Sequence, residues 1–276
     1  MSNALVWCNG SLVLAEDATV SVFDHGFTVG DGVFETLKAT DGQLFATRRH
    51  LERLRQSAAG LGLLVPYDDD DLREAMSEVL ASLDLPLARV RVTVTGGAAP
   101  LGSDRGESPA TVVVAGGSLK PRPPSTSVRT VPWPRNERGA MAGIKTTSYA
   151  ENVVALAYAK ERGGSEAIFA TTTDLLCEGT GSNVFVGIDG GLFTPPLSSG
   201  CLAGVTRALV LEVTDAVEAD IPMDAFRQAQ EIFLTSTGRD VQSVHQVDDR
   251  RLPAGGPLTE AAARAFAALE AGTPDP

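Results

Sequence analysis

Strand and helix signals mix along this chain without a regular strand–helix–strand repeat, and this pattern limits its possible folds more than any other feature. The Asn9-Gly10 and Asp41-Gly42 pairs each lie between short apolar stretches, an arrangement typical of β-hairpins. The spacing of apolar residues predicts helices over His50–Leu61, Tyr149–Arg162, Val205–Val217 and Glu260–Glu270. Further strands are predicted at Arg89–Thr95, Ala110–Ala115, Val128–Val131, Ala167–Thr171, Val184–Ile188 and Glu231–Thr235. This mixture favours an α+β fold over a doubly wound parallel sheet.

A segment rich in glycine and proline divides the chain near its middle. Gly116–Ser125 contains two adjacent glycines and three prolines, a composition typical of linkers. The 276 residues suit one large or two modest domains. We therefore predict a small α/β domain over residues 1–115, a linker over 116–127 and a larger domain over 128–276. Within the small domain, Gly96–Ser108 is too long for a tight turn and indicates a functional loop.

The acidic run Asp68–Asp71 has two interpretations. Clustered carboxylates can hold a metal ion, but carboxylates at a helix N-terminus also cap free N–H groups and complement the helix dipole. An apolar stripe with helical spacing follows the run directly. We therefore interpret it as a helix start and expect no metal there.

Charge and cysteine content exclude several classes of protein. Asp and Glu number 35 against 23 Lys and Arg, a net charge of −12. A nucleic-acid protein or one that docks on an anionic membrane needs a basic face instead. Cys8, Cys177 and Cys201 are odd in number and far apart, so neither a disulfide framework nor a zinc site is indicated. With no long apolar run, we expect a soluble protein in the reducing cytoplasm.

Lysine is scarce, with Lys38, Lys120, Lys145 and Lys160 as its four examples. Of lysine and arginine, only lysine readily becomes a neutral nucleophile, because arginine keeps its proton. Lys145 lies between an extended segment and a helix, among small hydroxyl residues, where a side chain can be both fixed and reachable. The other three have ordinary surface interpretations, so Lys145 is the candidate for amine chemistry.

Two segments have the composition of anion sites. Gly204-Val205-Thr206 opens a predicted helix whose free N–H groups suit a phosphate. Ser236-Thr237 ends a predicted strand with hydroxyls before a glycine, a possible phosphate cradle. Because the chain has neither a P-loop nor a GxGxxG motif, the two sites suggest a phosphorylated cofactor other than a nucleotide.

Glu178 precedes a turn of glycine, threonine and serine that leads into an apolar strand. It is either an ordinary turn carboxylate or one aimed at a protonated ring nitrogen.

Taken together, these segments resemble the fold-type IV pyridoxal-phosphate enzymes, also called class IV aminotransferases. The resemblance rests on Phe23–Gly26, Gly30–Thr36, His50–Leu54, Lys145, Glu178-Gly179, Ser182–Phe185, Gly204–Arg207 and Thr235–Thr237. The family includes branched-chain aminotransferases, D-amino-acid transaminases, R-selective amine transaminases and 4-amino-4-deoxychorismate lyases. The resemblance implies a small N-terminal α/β domain, a larger C-terminal pseudo-barrel domain, and a homodimer with its active sites at the interface.

The resemblance also implies roles for single residues. Lys145 would hold pyridoxal 5′-phosphate as a Schiff base and shuttle protons. Glu178 would pair with the pyridine nitrogen, and Arg53 would bind the phosphate. Further cofactor-binding residues would be Tyr149, Ser182, Asn183, Gly204, Val205, Thr206, Ser236 and Thr237. The substrate pocket would include Phe34, and its carboxylate partner would come from Arg91, Arg105, Arg135 or Arg138.

Departures from the family pattern bear on the substrate. Gly96 stands where bacillus-type D-amino-acid transaminases carry the arginine that holds the substrate carboxylate. Gly181 replaces a hydroxyl residue, and Val29 replaces a common aromatic. We expect a transaminase that moves an amino group from an amino acid to a 2-oxo acid, with D-amino acids weakly favoured, and these departures imply a non-standard carboxylate partner.

Three alternatives stay open. One is a 4-amino-4-deoxychorismate lyase that releases pyruvate and 4-aminobenzoate, because Tyr149–Val153 resembles sequences often grouped with such lyases. Another is a branched-chain L-amino-acid or R-amine transaminase. A ligand-binding protein without catalysis is disfavoured, since Lys145, Glu178 and Arg53 are all retained.

Overall fold

The computed structural model describes residues 4–276, which form two compact units. The first comprises the chain up to Lys120 together with Ile144–Tyr149 and Pro274–Pro276. The second comprises Pro121–Gly143 and Ala150–Thr273. No helix among the described residues is long and apolar enough to cross a membrane.

The first unit is an antiparallel sheet with two main helices. Its elements are β1 (Leu5–Cys8), β2 (Ser11–Leu14), α1 (His25–Thr28), β3 (Gly32–Thr40), β4 (Gln43–Leu44), α2 (Thr47–Gly60), α3 (Asp69–Ala81), β5 (Leu87–Thr95) and β6 (Thr111–Ser118). The strand order is β2-β1-β6-β5-β3-β4. Buried residues alternate along β5, so one face of the sheet enters the core. Leu51 and Leu54 of α2 and Met76 of α3 pack into that core.

Local signals in this unit predicted its turns well. Asn9 and Gly10 both have positive φ, as do Asp41 and Gly42, and such pairs close two-residue hairpins. Both hairpin predictions are confirmed. The helix-start interpretation of the acidic run is also confirmed, because Asp68 and Asp71 form a reciprocal capping box at the N-terminus of α3.

The second unit contains a larger, mixed sheet. Its elements are β7 (Ser125–Thr130), α4 (Ala150–Glu161), β8 (Glu166–Ala170), β9 (Leu176–Gly179), β10 (Asn183–Ile188), β11 (Gly191–Thr194), α5 (Val205–Val213), β12 (Val217–Glu218), α6 (Met223–Gln228), β13 (Glu231–Ser236), β14 (Asp240–Val247), β15 (Arg250–Arg251) and α7 (Pro257–Gly272). The strand order is β12-β11-β10-β13-β14-β7-β8-β9, and β15 pairs with β14. The last strand, β9, also contacts β10, so the sheet curls.

The core of the second unit lies against this curled sheet. Phe185 of β10 and Phe233 of β13 stack with their ring centres 4.8 Å apart. Parallel pairing occurs only locally, for example where α4 connects β7 to the neighbouring strand β8 and where β14 lies beside β7. The α+β prediction is confirmed.

Some predicted boundaries differ from the structure. Strand β6 extends to Ser118 and β7 begins at Ser125, so the predicted linker 116–127 is partly strand, with residues 119–124 outside both strands. The predicted helix Val205–Val217 was too long, because Thr214 has extended backbone angles and ends α5 at Val213.

The largest difference concerns the lysine segment, which the sequence analysis placed in the second domain. Phe34 N–H donates to the Lys145 carbonyl at 3.1 Å, and Thr147 N–H donates to the Gly32 carbonyl at 2.7 Å. These long-range bonds tie Ile144–Tyr149 to β3, which is why the segment belongs to the first unit.

Candidate active site

The Lys145 amine lies over an aromatic ring of the first unit. Its backbone is held by the bond from Phe34 and by its own N–H, which donates to Ser57 Oγ on α2 at 3.3 Å. Its Nζ is 4.3 Å from the centre of the Phe34 ring. Hydrogen bonds to β3 and to α2 thus hold the backbone of Lys145 in place. The face of the Phe34 ring attracts the ammonium form of its side chain.

Two more predicted residues share the Phe34 ring. The Arg91 guanidinium lies 3.7 Å from the ring centre, and the Tyr149 ring meets it edge-on at 5.3 Å. Burial lowers the pKa of Arg91, against the opposite influence of Tyr149. The structure therefore brings Lys145, Arg91 and Tyr149 together around the Phe34 ring.

Arg53 is held by a buried carboxylate. Its Nε and Nη2 donate to the two oxygens of Glu35 at 2.7 and 2.8 Å, and His50 Nδ1 lies 2.7 Å from Glu35 Oε2. Burial raises the pKa of Glu35, but the charge and hydrogen bonds of Arg53 outweigh it and hold the pKa below its usual range. Burial lowers the pKa of His50, which favours the neutral ring.

Sequence reasoning assigned no role to Glu35 and His50, although both lie in motifs that carry the resemblance. A signal was present, because Glu35 interrupts the apolar strand β3 at a position that is fully buried. Acidic residues are almost never buried unless they are paired.

A second charged cluster holds the loop after β5. Arg105 binds Asp31 through two nitrogens, with Nε 2.6 Å from Oδ2, and Nη1 donates to the Gly62 carbonyl. His25 Nδ1 lies 2.9 Å from the same Asp31 oxygen. A Cβ atom on Gly96 would lie only 2.6 Å from Asp31 Oδ2. A side chain at Gly96 would therefore require Asp31 to move.

In the second unit, Glu178 is fixed from two sides. The Leu202 N–H donates to its Oε2 at 2.9 Å, and Arg135 Nε lies 3.5 Å from its Oε1. The guanidinium of Arg135 stacks on Phe169 at 4.1 Å and also pairs with Glu151. Arg135, which the sequence analysis raised as a carboxylate partner for the substrate, thus lies between Glu178 and Glu151.

The start of α5 has the form of an anion site. Gly204 is its N-cap and supplies no side-chain cap for the first N–H groups of this nine-residue helix. A Cβ on Gly204 would overlap Asn183 Oδ1, and Asn183 Nδ2 donates to the Leu202 carbonyl at 2.8 Å. Asn183 therefore shapes the backbone in front of Val205 and Thr206, which are both buried.

The turn after β13 carries the other predicted hydroxyls. Ser236 ends β13, Thr237 begins the turn to β14, and Arg239 N–H closes that turn on the Ser236 carbonyl at 3.0 Å. Beside them, Thr235 Oγ1 is buried and has no hydrogen-bond partner among the described residues. An uncapped helix start and an unsatisfied buried hydroxyl fit a phosphate group.

Two other predicted residues have side-chain partners within the second unit. The Ser182 hydroxyl donates to the buried Glu166 at 3.2 Å. The Arg138 side chain is 84% exposed and pairs with Glu137 at 3.9 Å.

Comparison with known proteins gives one consistent answer. The family model for class IV amino-transferases matches residues 32–247. A putative branched-chain-amino-acid aminotransferase of Methanocaldococcus jannaschii is 32% identical over 89% of this chain and 88% of its own length. A D-alanine aminotransferase of Staphylococcus epidermidis is 29% identical over 91% of each chain.

Solved structures agree in fold. The branched-chain aminotransferase of Thermoproteus uzoniensis with norvaline superposes with a TM-score of 0.91 at 28% identity, covering 97% of this chain and 94% of that one. A branched-chain amino acid aminotransferase solved with pyridoxamine 5′-phosphate superposes with a TM-score of 0.90 at 26% identity, covering 99% of this chain and 95% of that one.

Proposed function

The chain belongs to the class IV aminotransferases, which have fold type IV and use pyridoxal phosphate, and from this premise we propose that it moves an amino group from a D-amino acid to a 2-oxo acid. The observation that carries the amino-transfer part of the proposal is Lys145, whose backbone is held by β3 and Ser57 and whose amine lies over the Phe34 ring. Lys145 is the lysine whose surroundings match a role in amine chemistry.

The residues present fit the cofactor. The Lys145 amine would attach to its aldehyde carbon, and Arg53, the α5 start, Ser236 and Thr237 would bind its phosphate. The bound cofactor supplies the electron sink that stabilises charge at the substrate Cα. Glu178 would hold the proton of the ring nitrogen, and Leu202 and Arg135 keep that carboxylate in place.

Once displaced by substrate, the Lys145 amine would remove and return the Cα proton. Its position over Phe34 limits the directions from which it can approach that carbon. Tyr149 packs edge-on against the same ring, so it would confine the amine on that side.

Arg105 is our choice for the substrate carboxylate partner. It lies beside Asp31, and Asp31 in turn borders Gly96, where the D-amino-acid enzymes have their arginine. Arg105 thus lies close to the position where the D-amino-acid enzymes have their arginine. Its planar guanidinium suits a carboxylate. Asp31 would hold Arg105 when substrate is absent.

A branched-chain L-amino acid is the second candidate substrate. One of the relatives and both solved structures described above are named as branched-chain aminotransferases. Arg91, which lies against the same Phe34 ring as the lysine amine, would then be the partner of the substrate carboxylate.

Substrate tests separate these possibilities. We expect D-alanine to convert the purified holoenzyme to its pyridoxamine form, seen as a change in the cofactor absorbance, while L-leucine converts it more slowly. The opposite order would favour the branched-chain candidate. Pyruvate released from 4-amino-4-deoxychorismate without any amino acceptor would contradict a transaminase and support the lyase.

Lys145→Ala should reduce turnover by at least about a thousandfold, since the nucleophile and proton carrier are both lost. Lys160→Ala, on the exposed side of α4, is the matched control and should retain full activity. Equal activity of the two variants would show that Lys145 has no catalytic role.

Arg105→Gln should raise the KM for a D-amino acid by about 10- to 100-fold, as expected for the loss of one charged hydrogen-bond partner. Arg138→Gln is the control, because its side chain is largely exposed. If Arg138→Gln raised KM and Arg105→Gln did not, the two assignments would be exchanged.

A homodimer and a cytoplasmic location complete the proposal. Val22, Phe23 and Phe27 of the first unit are 67, 52 and 75% exposed, and neighbouring exposed apolar side chains of this size support a protein interface. The three cysteines are free thiols, which suits a reducing compartment.

A further inference from the structure

A buried carboxylate in the second unit joins two turns that sequence analysis treated separately. Glu166, at the start of β8, has a side chain only 4% exposed. Its two oxygens accept hydrogen bonds from four other residues: Ala167, Thr180, Ser182 and Arg239. So many donors around one buried carboxylate indicate a fixed geometry.

The first of these turns follows Glu178. Glu166 Oε1 accepts from both the backbone and the hydroxyl of Thr180, while Oε2 accepts from Ser182 Oγ at 3.2 Å. The turn itself is closed by Gly179 N–H, which donates to the Ser182 carbonyl at 2.7 Å. A Cβ on Gly179 would lie 3.1 Å from Glu166 Cγ and overlap Ser182 Oγ. The carboxylate is therefore packed directly against this turn.

The second turn follows β13 and carries Ser236 and Thr237. Arg239, which closes that turn, donates from Nη2 to Glu166 Oε2 at 3.2 Å. Its other terminal nitrogen, Nη1, donates to Gln242, whose amide donates to the Pro123 carbonyl at 2.7 Å. Both charged side chains are almost fully buried, so neither can exchange its partner for water.

We propose that Glu166, through its ion pair with Arg239, is a positioning residue that sets the turn bearing Ser236 and Thr237 in a fixed relation to the turn that follows Glu178. This inference rests on the proposed function, which assigns the two turns to the phosphate and to the ring nitrogen of one cofactor. Backbone pairing links the two turns on one side, since Asn183 after the Glu178 turn pairs with Thr235 before Ser236, and the Glu166–Arg239 ion pair adds a buried side-chain link between them. Its loss would let the phosphate turn shift against the Glu178 turn.

The test measures how much the phosphate group adds to binding. Full-length apoprotein is titrated with pyridoxamine 5′-phosphate and with pyridoxamine. The Kd for pyridoxamine divided by the Kd for pyridoxamine 5′-phosphate reports on the phosphate contacts alone. Glu166→Gln keeps the size of the side chain and removes its charge. We expect it to reduce this ratio about tenfold, as for the loss of one charge-assisted hydrogen bond. A general loss of stability would weaken both ligands equally and leave the ratio unchanged.

Three further variants make the test decisive. Arg239→Gln should lower the ratio as Glu166→Gln does, and the double variant should lower it no further, because both changes remove the same ion pair. The double variant buries no unpaired charge, so it also provides the measurement if a single variant fails to fold. Glu231→Gln is the matched control, since Glu231 binds the first turn of α7, and its ratio should equal that of the wild type.

Ser236→Ala combined with Thr237→Ala tests the proposed function separately. If that variant leaves the ratio unchanged, the phosphate role of the turn is wrong and the role of Glu166 falls with it. If it lowers the ratio while Glu166→Gln does not, only the positioning role is overturned. Additive losses in the Glu166 and Arg239 double variant would overturn it as well.

Discussion

Each unit of the protein contains a buried pair of arginine and glutamate, but the two pairs are built differently. In the first unit, Glu35 binds Arg53 through two nitrogens and is completed by His50. In the second, Glu166 receives one nitrogen of Arg239 and otherwise neutral donors. We assign the arginine of the first pair to the cofactor phosphate, whereas we propose that the second, which is almost fully buried, positions two turns. A buried ion pair can thus supply a binding group or position other binding groups.

The largest effect should come from breaking the first pair. Glu35→Gln leaves the buried Arg53 without its counter-charge, and we expect the free energy of unfolding to fall by about 3 kcal/mol. Urea denaturation of the apoprotein measures this. Glu52→Gln removes an exposed helix pair with Arg48 and should cost less than about 0.5 kcal/mol. Equal losses in the two variants would mean that burial of the first pair has no energetic consequence.

A smaller effect is expected from the neutral donors of the second pair. Thr180→Val keeps the shape of the side chain but removes a hydroxyl that donates to Glu166, and it should lower the free energy of unfolding by about 1.5 kcal/mol. Ser127→Ala, which removes an exposed hydroxyl bonded to the Gly163 carbonyl, serves as the control. Should Thr180→Val be as stable as the wild type, the neutral donors would contribute nothing and the two pairs would be alike.

The smallest effects concern two histidines of the first unit, whose pKa values shift in opposite directions. The hydrogen bond to Asp31 raises the pKa of His25, whereas burial lowers that of His50. NMR titration of the ring protons should therefore find His25 above and His50 below the ordinary value of about 6.5. Arg105→Gln should raise the His25 pKa further, because the guanidinium charge opposes protonation. His25→Asn assigns the signals, and a shared pKa would contradict the prediction.

The same shifts fix the sign of the pH effect on stability. A raised pKa means that the His25 contribution is fully present below about pH 6.5 and is lost as the pH rises through the folded-state value. The lowered pKa of His50 works the other way, because unfolding takes up a proton once the pH falls below about 6.5. Comparing unfolding curves of His25→Asn and His50→Gln across this range separates the Asp31 cluster from the Glu35 cluster.

Local sequence signals were sufficient for most elements of both units. The hairpins closed by Asn9-Gly10 and Asp41-Gly42, the capping box at Asp68 and the glycine before α5 act over a few residues. Their conformations depend on backbone sterics and nearby hydrogen bonds. The predicted helix through Val217 was wrong for the same kind of reason, since apolar spacing continues beyond Thr214 although the backbone does not.

The sequence by itself determined the family, which the comparisons confirm, and it predicted the chemistry of the site from one lysine among four, a carboxylate before a glycine turn and a helix start that opens with glycine. Only the tertiary structure decided which groups meet, including Lys145 with β3, Arg135 with Glu178, and Glu166 with Arg239 across a strand. Residue type determines what a side chain can do, and it is encoded at each position. The partners of a buried charge lie tens of residues away, and they are set by strand order and packing that no local pattern contains.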